Sequence, residues 1–503
     1  LKTESQSNLS RFVHPVALWV SVLLLVGALR DQYSLVGAFD TGLYLQWLYG
    51  FWRQGSLASS VTGEANFLAH HFQPVALLFA PLVGAFGRPV ILYLVAAAAL
   101  AAAWWIGRQL FCGSNYRRSR WYNGVFVVFA AHPALAGRVW YGFVPDLLAL
   151  PAFFWMALTL ADPQRKAPVG WRSLALWLSA FAWAGMAKET FWLTNGFVAV
   201  AAMLLRRESR AFFAICAGLQ FAVFAFLFLR WMPAHTNMPS YYGLRFYLDV
   251  APGAAVTIAD FAGACLRNLF SLRTPVTLGW LLLLTCALPL LRWSWLWVAA
   301  IPGLMIILLA KEGQVHHPAN HYLIPVLPFI MAPVFYAQER YGQLWAKIGR
   351  GVGPALLALI PAGFCFFMTG GIIEQMLTIS QESRRVYLRH DVQQIKVETE
   401  TSTPMIVDGL LQPLFYDYPD VTVLLGHVGN PVRRPVLGNT ETLTIVTSVD
   451  LKAVPDCSRV LLGGTHLIPD YAYFQDLCAR VQTAATTVRS FPDSGLVVYR
   501  LPP

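Results

Sequence analysis

Of 503 residues, 57% are apolar, 14% aromatic and 13% charged, and the mean hydropathy is +0.52. Globular domains carry about 25% charged residues, so an ordinary water-facing enzyme is excluded, and the apolar content excludes disorder. The net charge of +11 does not mark a nucleic-acid surface, because from Glu382 onward 11 Lys and Arg face 13 Asp and Glu, leaving 26 against 13 in the hydrophobic part. There the basic excess reads as membrane topology and lipid-headgroup contact, with no basic stripe for a nucleic acid.

Taken in chain order, apolar runs near bilayer length predict about eleven transmembrane helices: 12–30, 89–110, 122–138, 144–161, 173–187, 190–206, 211–230, 274–291, 293–310, 321–338 and 352–373. The first reads as an anchor rather than a cleaved leader. Residues 67–87 are apolar too, but His70, His71, Gln73, Pro74 and Pro81 suit an interfacial or re-entrant segment better than a lipid-facing helix. With that segment left out, Lys2 and Arg11, Arg108/Arg117/Arg118/Arg120, Arg165/Lys166/Arg172, Arg206/Arg207/Arg210 and Arg340/Lys347/Arg350 all fall on one side. By the positive-inside rule that side is the cytoplasm. The expected protein is multi-pass in the cytoplasmic (inner) membrane, with a cytoplasmic N-terminus and a first outer loop over 31–88.

The composition changes after about residue 375. Short β-rich runs (Met405–Val407, Val421–Leu425, Leu443–Val446, Arg459–Leu462, Leu496–Leu501) alternate with Gly/Pro/Asp turns and with helix-like stretches at 383–397 and 470–484. The division is therefore 1–374 transmembrane and 375–503 a small α/β extracytoplasmic domain. Of seven Cys, five lie in or beside the membrane part without ligand-like spacing. Cys457 and Cys478 share the outer domain, where an oxidising compartment would permit a disulfide.

Ionisable groups at the ends of apolar segments are costly unless they are used, and five places carry them, all on the outer side. Asp40, in Gly37-Ala-Phe-Asp-Thr-Gly-Leu-Tyr44, either caps an interfacial helix or serves as general base or divalent-metal ligand. His70-His71-Phe-Gln73 and His316-His317-Pro-Ala-Asn320-His321-Tyr322 hold five of the eleven His. Their chemistry would be phosphate contact, metal ligation or an interfacial role. Asp146, after Pro145, either caps a helix or faces a polar cavity at the outer bilayer interface. Lys188-Glu189 is either a solvated turn or two separately paired groups, Lys188 with a substrate phosphate and Glu189 with a His or Arg. No CxxC, HExxH, GxSxG or P-loop pattern assigns a cofactor.

The succession FDTGLYLQWLYGFWRQG, AHHFQPVALLFAPL, the turn before Pro145-Asp146, AKET at 187–190 and HHPANHYLIPVLPFI at 316–330 resembles the domain-of-unknown-function 2079 family of polytopic membrane proteins. That family is similar to GT-C fold glycosyltransferases, and the resemblance spans roughly residues 10–375. It implies a GT-C-like transmembrane domain that uses a polyprenyl-phosphate sugar outside the cytoplasmic membrane. By position Asp40 would be the catalytic acid of the first outer loop. His70, His71, Gln73, Asp146, Lys188, Glu189, His316, His317, Asn320 and Tyr322 would surround the substrate. Two departures stand out: the family's aromatic-His-Pro turn is Phe143-Val144-Pro145 here, and its Lys-Glu-acid pattern is Lys188-Glu189-Thr190. The implied partners are membrane lipid, a polyprenyl-linked sugar donor and a glycan, lipid or protein acceptor. The alternatives are a non-catalytic accessory subunit of a larger membrane complex, or a transporter of a lipid-linked substrate.

Overall fold

The computed structural model describes residues 39–59, 65–88, 90–111, 116–136, 143–162, 164, 170–236, 257–311, 316, 321–337, 357, 359–368, 384–399, 405–407, 421–423, 442–447, 451–453, 471–491 and 496–502. The expectations for 12–30, His317, Asn320, Cys457 and the run at 459–462 lie outside these residues.

Helix α1 (Phe39–Gln54) buries Leu43, Leu45, Trp47 and Leu48 and leaves Trp52 and Arg53 exposed. Residues 67–87 then form three short pieces: Phe67–His70, a 3-10 turn Pro74–Phe79, and α2 (Ala80–Phe86). Pro74 and Pro81 each open a segment, as proline does when it lacks an N–H for the preceding turn. Gly87, at φ +56, closes α2 in the left-handed conformation.

The helical part continues with α3 (Val90–Phe111), α4 (Tyr116–Ala131) and α5 (Leu150–Ala161), the last led in by a 3-10 turn, Pro145–Ala149. Next come α6 (Trp171–Gly185), α7 (Glu189–Leu205) and α8 (Arg210–Phe226). Beyond them lie α9 (Ile258–Leu269), α10 (Arg273–Leu284), α11 (Ile301–Leu309), α12 (Leu327–Phe335) and α13 (Leu359–Met368). Among the described residues two helices are long and apolar enough to cross a membrane, Val90–Phe111 and Arg207–His235, and six other apolar helices run 10–17 residues. The expected count of about eleven spans is therefore not established here. Several expected runs are divided: 274–291 breaks after α10, where Cys286 and Ala287 take φ of +55 and +52.

α7 packs on α6, α8 and the 3-10 turn Trp295–Ala300, while α5 packs on both α3 and α12. At the centre, the rings of Tyr122, Phe126, Phe129, Phe154 and Phe335 pack with centroids 5.0–5.8 Å apart, mostly tilted or edge-to-face. The close approach depends on Gly107, where a Cβ would come within 2.2 Å of the Tyr122 hydroxyl. Helix-end carbonyls in an apolar setting need donors. The Trp121 indole donates to Val334 O and Phe335 O at 3.1 and 3.0 Å. The Arg206 guanidinium donates to Thr159 O and Leu160 O at 3.0 and 3.2 Å, and to Asp162 O.

The C-terminal unit is a five-stranded sheet, β1 (Met405–Val407), β2 (Val421–Val423), β3 (Leu443–Thr447), β4 (Thr486–Phe491) and β5 (Leu496–Leu501), in the order β2-β1-β3-β5-β4. β1 pairs in parallel with β2 and β3, whereas β5 is antiparallel to β3 and β4. Alternation along the strands divides two apolar layers. Ile406, Ile445, Val497 and Tyr499 meet Leu477, Cys478 and Val481 of α15 (Tyr471–Thr483). Met405, Val407, Val446 and Val498 meet Val392 and Ile395 of α14 (Arg384–Glu398). Cys478 is disulfide-bonded, and its expected partner, Cys457, is outside the described residues.

Candidate functional site

Two helix starts carry the site. Asp146 lies in the first turn leading into α5, behind Pro145, and Glu189 is the first residue of α7, so each carboxylate sits at a helix N-terminus where the dipole favours it. Lys188 precedes α7 in extended backbone, at φ −166 and ψ 144, which turns its side chain out of the helical path. The 3-10 turn that follows the His70–Gln73 loop is bound to the turn before α7 by the Val75 amide, which donates to Met186 O at 3.2 Å. The Phe143 amide donates to the Thr41 hydroxyl at 3.0 Å, joining α1 to the residues before Pro145.

Asp146, Gln73, Lys188 and Glu189 are 1, 1, 4 and 7% exposed, so each must find its partners inside the protein. Lys188 Nζ lies 2.7 Å from Asp146 Oδ2. Gln73 Nε2 donates to Asp146 Oδ1 at 3.3 Å and its Oε1 accepts from the Tyr44 hydroxyl at 2.7 Å. His321 Nε2 stands 3.9 Å from Asp146 Oδ2, and the Lys188 ammonium sits 4.8 Å over the Tyr322 ring. Glu189 accepts from the Phe72 amide at 3.1 Å and pairs with His71 Nδ1 at 3.5 Å, an ion-pair separation without hydrogen-bond alignment. Burial alone would lower the Lys188 pKa; Asp146, with lesser help from its other neighbours, outweighs that and holds it above the ordinary lysine value. Lys188 is therefore an ammonium throughout the physiological range.

The structure thus brings together His71, Gln73, Asp146, Lys188, Glu189 and Tyr322 among the residues singled out in the sequence. Asp146 does not cap its helix, and its carboxylate is turned to Lys188 and Gln73 instead. The partner of Glu189 is a His, as the sequence suggested, while Lys188 pairs with Asp146. His70 packs edge-on against His71, with centroids 4.4 Å apart. His316 is engaged elsewhere, one ring nitrogen 3.2 Å from the Thr277 hydroxyl and the other 2.8 Å from Ala310 O. Asp40 is the second residue of α1, and only its backbone is described. Tyr44 joins the network without having been singled out, and His321, counted among the outer-loop His but not placed around the substrate, joins it too. Among the described residues no group of three His, Cys, Asp or Glu is arranged to hold a metal ion.

A family model described as "Predicted membrane protein (DUF2079)" matches residues 31–386. The chain is a DUF2079 protein. Its fold is similar to two crystal structures of ArnT from Cupriavidus metallidurans, each match covering 96% of this chain and 97% of that one. The first, bound to undecaprenyl phosphate, gives a TM-score of 0.54 at 14% identity, and the apo structure gives 0.51 at 15%. At these identities the likeness defines the fold, which is GT-C-like, and its coverage takes in the C-terminal sheet as well as the helices. No curated protein matches the DUF2079 chain in sequence.

Proposed function

We propose that this DUF2079 protein is an integral-membrane glycosyltransferase that moves a sugar from a polyprenyl-phosphate carrier to an acceptor outside the cytoplasmic membrane. The observation that carries this reading is the buried Lys188 ammonium at the N-terminus of α7, inside a GT-C-like fold. An ammonium offers three N–H bonds. Asp146 takes one at 2.7 Å and the Tyr322 face lies beside it, so a phosphate oxygen can share the remainder. In the reaction the acceptor hydroxyl attacks the anomeric carbon, the bond from that carbon to the phosphate oxygen breaks, and polyprenyl phosphate leaves. Asp40 takes the hydroxyl proton, and Lys188 stabilises the charge gathering on the departing phosphate.

The test is release of undecaprenyl phosphate from a panel of undecaprenyl-phosphate hexoses by the full chain in proteoliposomes. Asp40→Asn should reduce turnover at least a hundredfold, the usual scale for a general base, with an unchanged unfolding temperature. A fully active variant would remove Asp40 from the chemistry. An accessory, non-catalytic role is the second reading, favoured by the pairing of Lys188 with Asp146, since a satisfied ion pair also serves a purely structural purpose. Under that reading no hexose of the panel is transferred and the protein co-purifies with a membrane complex.

A further inference from the structure

Helix α11 ends at Leu309, and at Ala310 the backbone turns extended, with φ −67 and ψ 143. The last carbonyls of a helix then need donors from elsewhere. Three side chains supply them in succession. The Asn268 amide, near the end of α9, donates to Leu309 O at 2.8 Å. His316 Nε2 lies 2.8 Å from Ala310 O, and the Arg273 guanidinium at the start of α10 donates to Lys311 O. A carbonyl can only accept, so Nε2 of His316 carries a proton. The other ring nitrogen stands 3.2 Å from the Thr277 hydroxyl of α10. His316, 9% exposed, thus joins α10 to the end of α11 and has both nitrogens occupied by the protein.

This clasp lies on the stretch of chain that serves the site. Five positions after His316 begins the 3-10 turn His321–Leu323, which sets His321 3.9 Å from Asp146 and the Tyr322 ring 4.8 Å from the Lys188 ammonium. Five residues span at most about 18 Å, so fixing His316 narrows where that turn can lie. The turn also rests on the same helix. A Cβ on Gly303 of α11 would come within 2.6 Å of the Val326 side chain and 3.3 Å of Tyr322 O. α11 therefore holds the connection at both ends, His316 through a terminal carbonyl and Tyr322 through the space that glycine leaves.

We infer that His316 is a positioning residue of the candidate site, a clasp that keeps the Tyr322 ring beside the Lys188 ammonium while touching no substrate itself. This rests on the transfer reaction proposed above and adds a residue that acts on it through Tyr322. An ammonium aimed at the departing phosphate matters most in the transition state, so loosening the clasp lowers kcat rather than raising KM.

The experiment follows the full chain in phosphatidylcholine nanodiscs by two readouts. One is hydrogen exchange of the Ile324 amide, which is bonded to His321 O at 2.9 Å. The other is kcat and KM for the undecaprenyl-phosphate hexose that the wild type uses. His316→Ala should speed the exchange and lower kcat, each about tenfold, at an unchanged KM, since a small misplacement away from the chemistry is enough. His316→Gln, whose amide can donate to Ala310 O and accept from Thr277, should restore both. Thr277→Val should move both readouts the same way by a smaller factor, and keeps the question answerable if His316→Ala fails to fold. Arg206→Met, which weakens the far end of α5, should leave both unchanged. Wild-type kcat in His316→Ala and Thr277→Val overturns the positioning role and leaves the function standing. An equal fall in Arg206→Met, or a fall that His316→Gln does not restore, overturns it as general loss of stability. If the wild type transfers no hexose, the proposed function fails instead and exchange alone decides the clasp: faster exchange upholds it as the anchor of Tyr322, and an unchanged rate in both variants overturns it.

Discussion

Lys188 and Asp146 face each other with almost no access to water, and removing one partner of such a pair leaves the other charge buried and uncompensated. Lys188→Met should therefore cost about 3–5 kcal/mol, and Lys188→Met combined with Asp146→Leu should recover most of it. Unfolding midpoints of the single and double variants in detergent provide the test; additive losses would mean that the two groups are not coupled. Because the folded Lys188 pKa is raised, its stabilisation is complete below the ordinary lysine value of 10.5 and is lost as pH rises through the folded value. Stability should therefore show no step from this group at neutral pH. The sequence singled out both residues as expensive in an apolar chain, but not their pairing, since 42 positions separate them. Tyr44 went unnoticed for a related reason: a tyrosine in an aromatic-rich helix looks like core until its hydroxyl is seen on Gln73.

Among the elements, the end of α5 shows how a basic loop residue does more than report topology. Arg206 lies in the loop assigned to the cytoplasm, and its guanidinium takes up carbonyls at the end of α5. Arg206→Met should lower stability by about 1–3 kcal/mol through orphaned carbonyls, whereas Arg207→Met, exposed and outside that cap, should change it little; equal losses measured by thermal unfolding would reject the capping role. The expected boundaries hold closely for α3, α6 and α7, where periodicity is uninterrupted. They hold less well where proline or a left-handed residue divides a run, as in α10. β4 was not anticipated, because an edge strand with five exposed positions out of six carries no buried face to mark it. β1, β3 and β5, buried on both sides, were legible as apolar runs.

For the whole molecule, the positive-inside assignment carries a direct consequence. An alkaline phosphatase fused after residue 503 should be active in cells and a green fluorescent protein at the same point dark; the reverse would invert the topology and move the candidate site to the cytoplasmic side. Composition, run length and local motifs were enough to recognise a polytopic membrane protein of the DUF2079 family with a C-terminal α/β unit, because partitioning into lipid depends on residues close together in the chain. Two things required the folded chain: which costly polar groups meet, and where the helices break. Asp146, Lys188, Gln73 and Tyr44 converge only when α1, the His70–Gln73 loop and the starts of α5 and α7 are packed together. The Phe72 amide reaches Glu189 across 117 positions. Hydropathy marks such groups as unaffordable alone, and only tertiary packing supplies their partners, since a buried charge is stabilised by atoms that are near in space rather than in sequence.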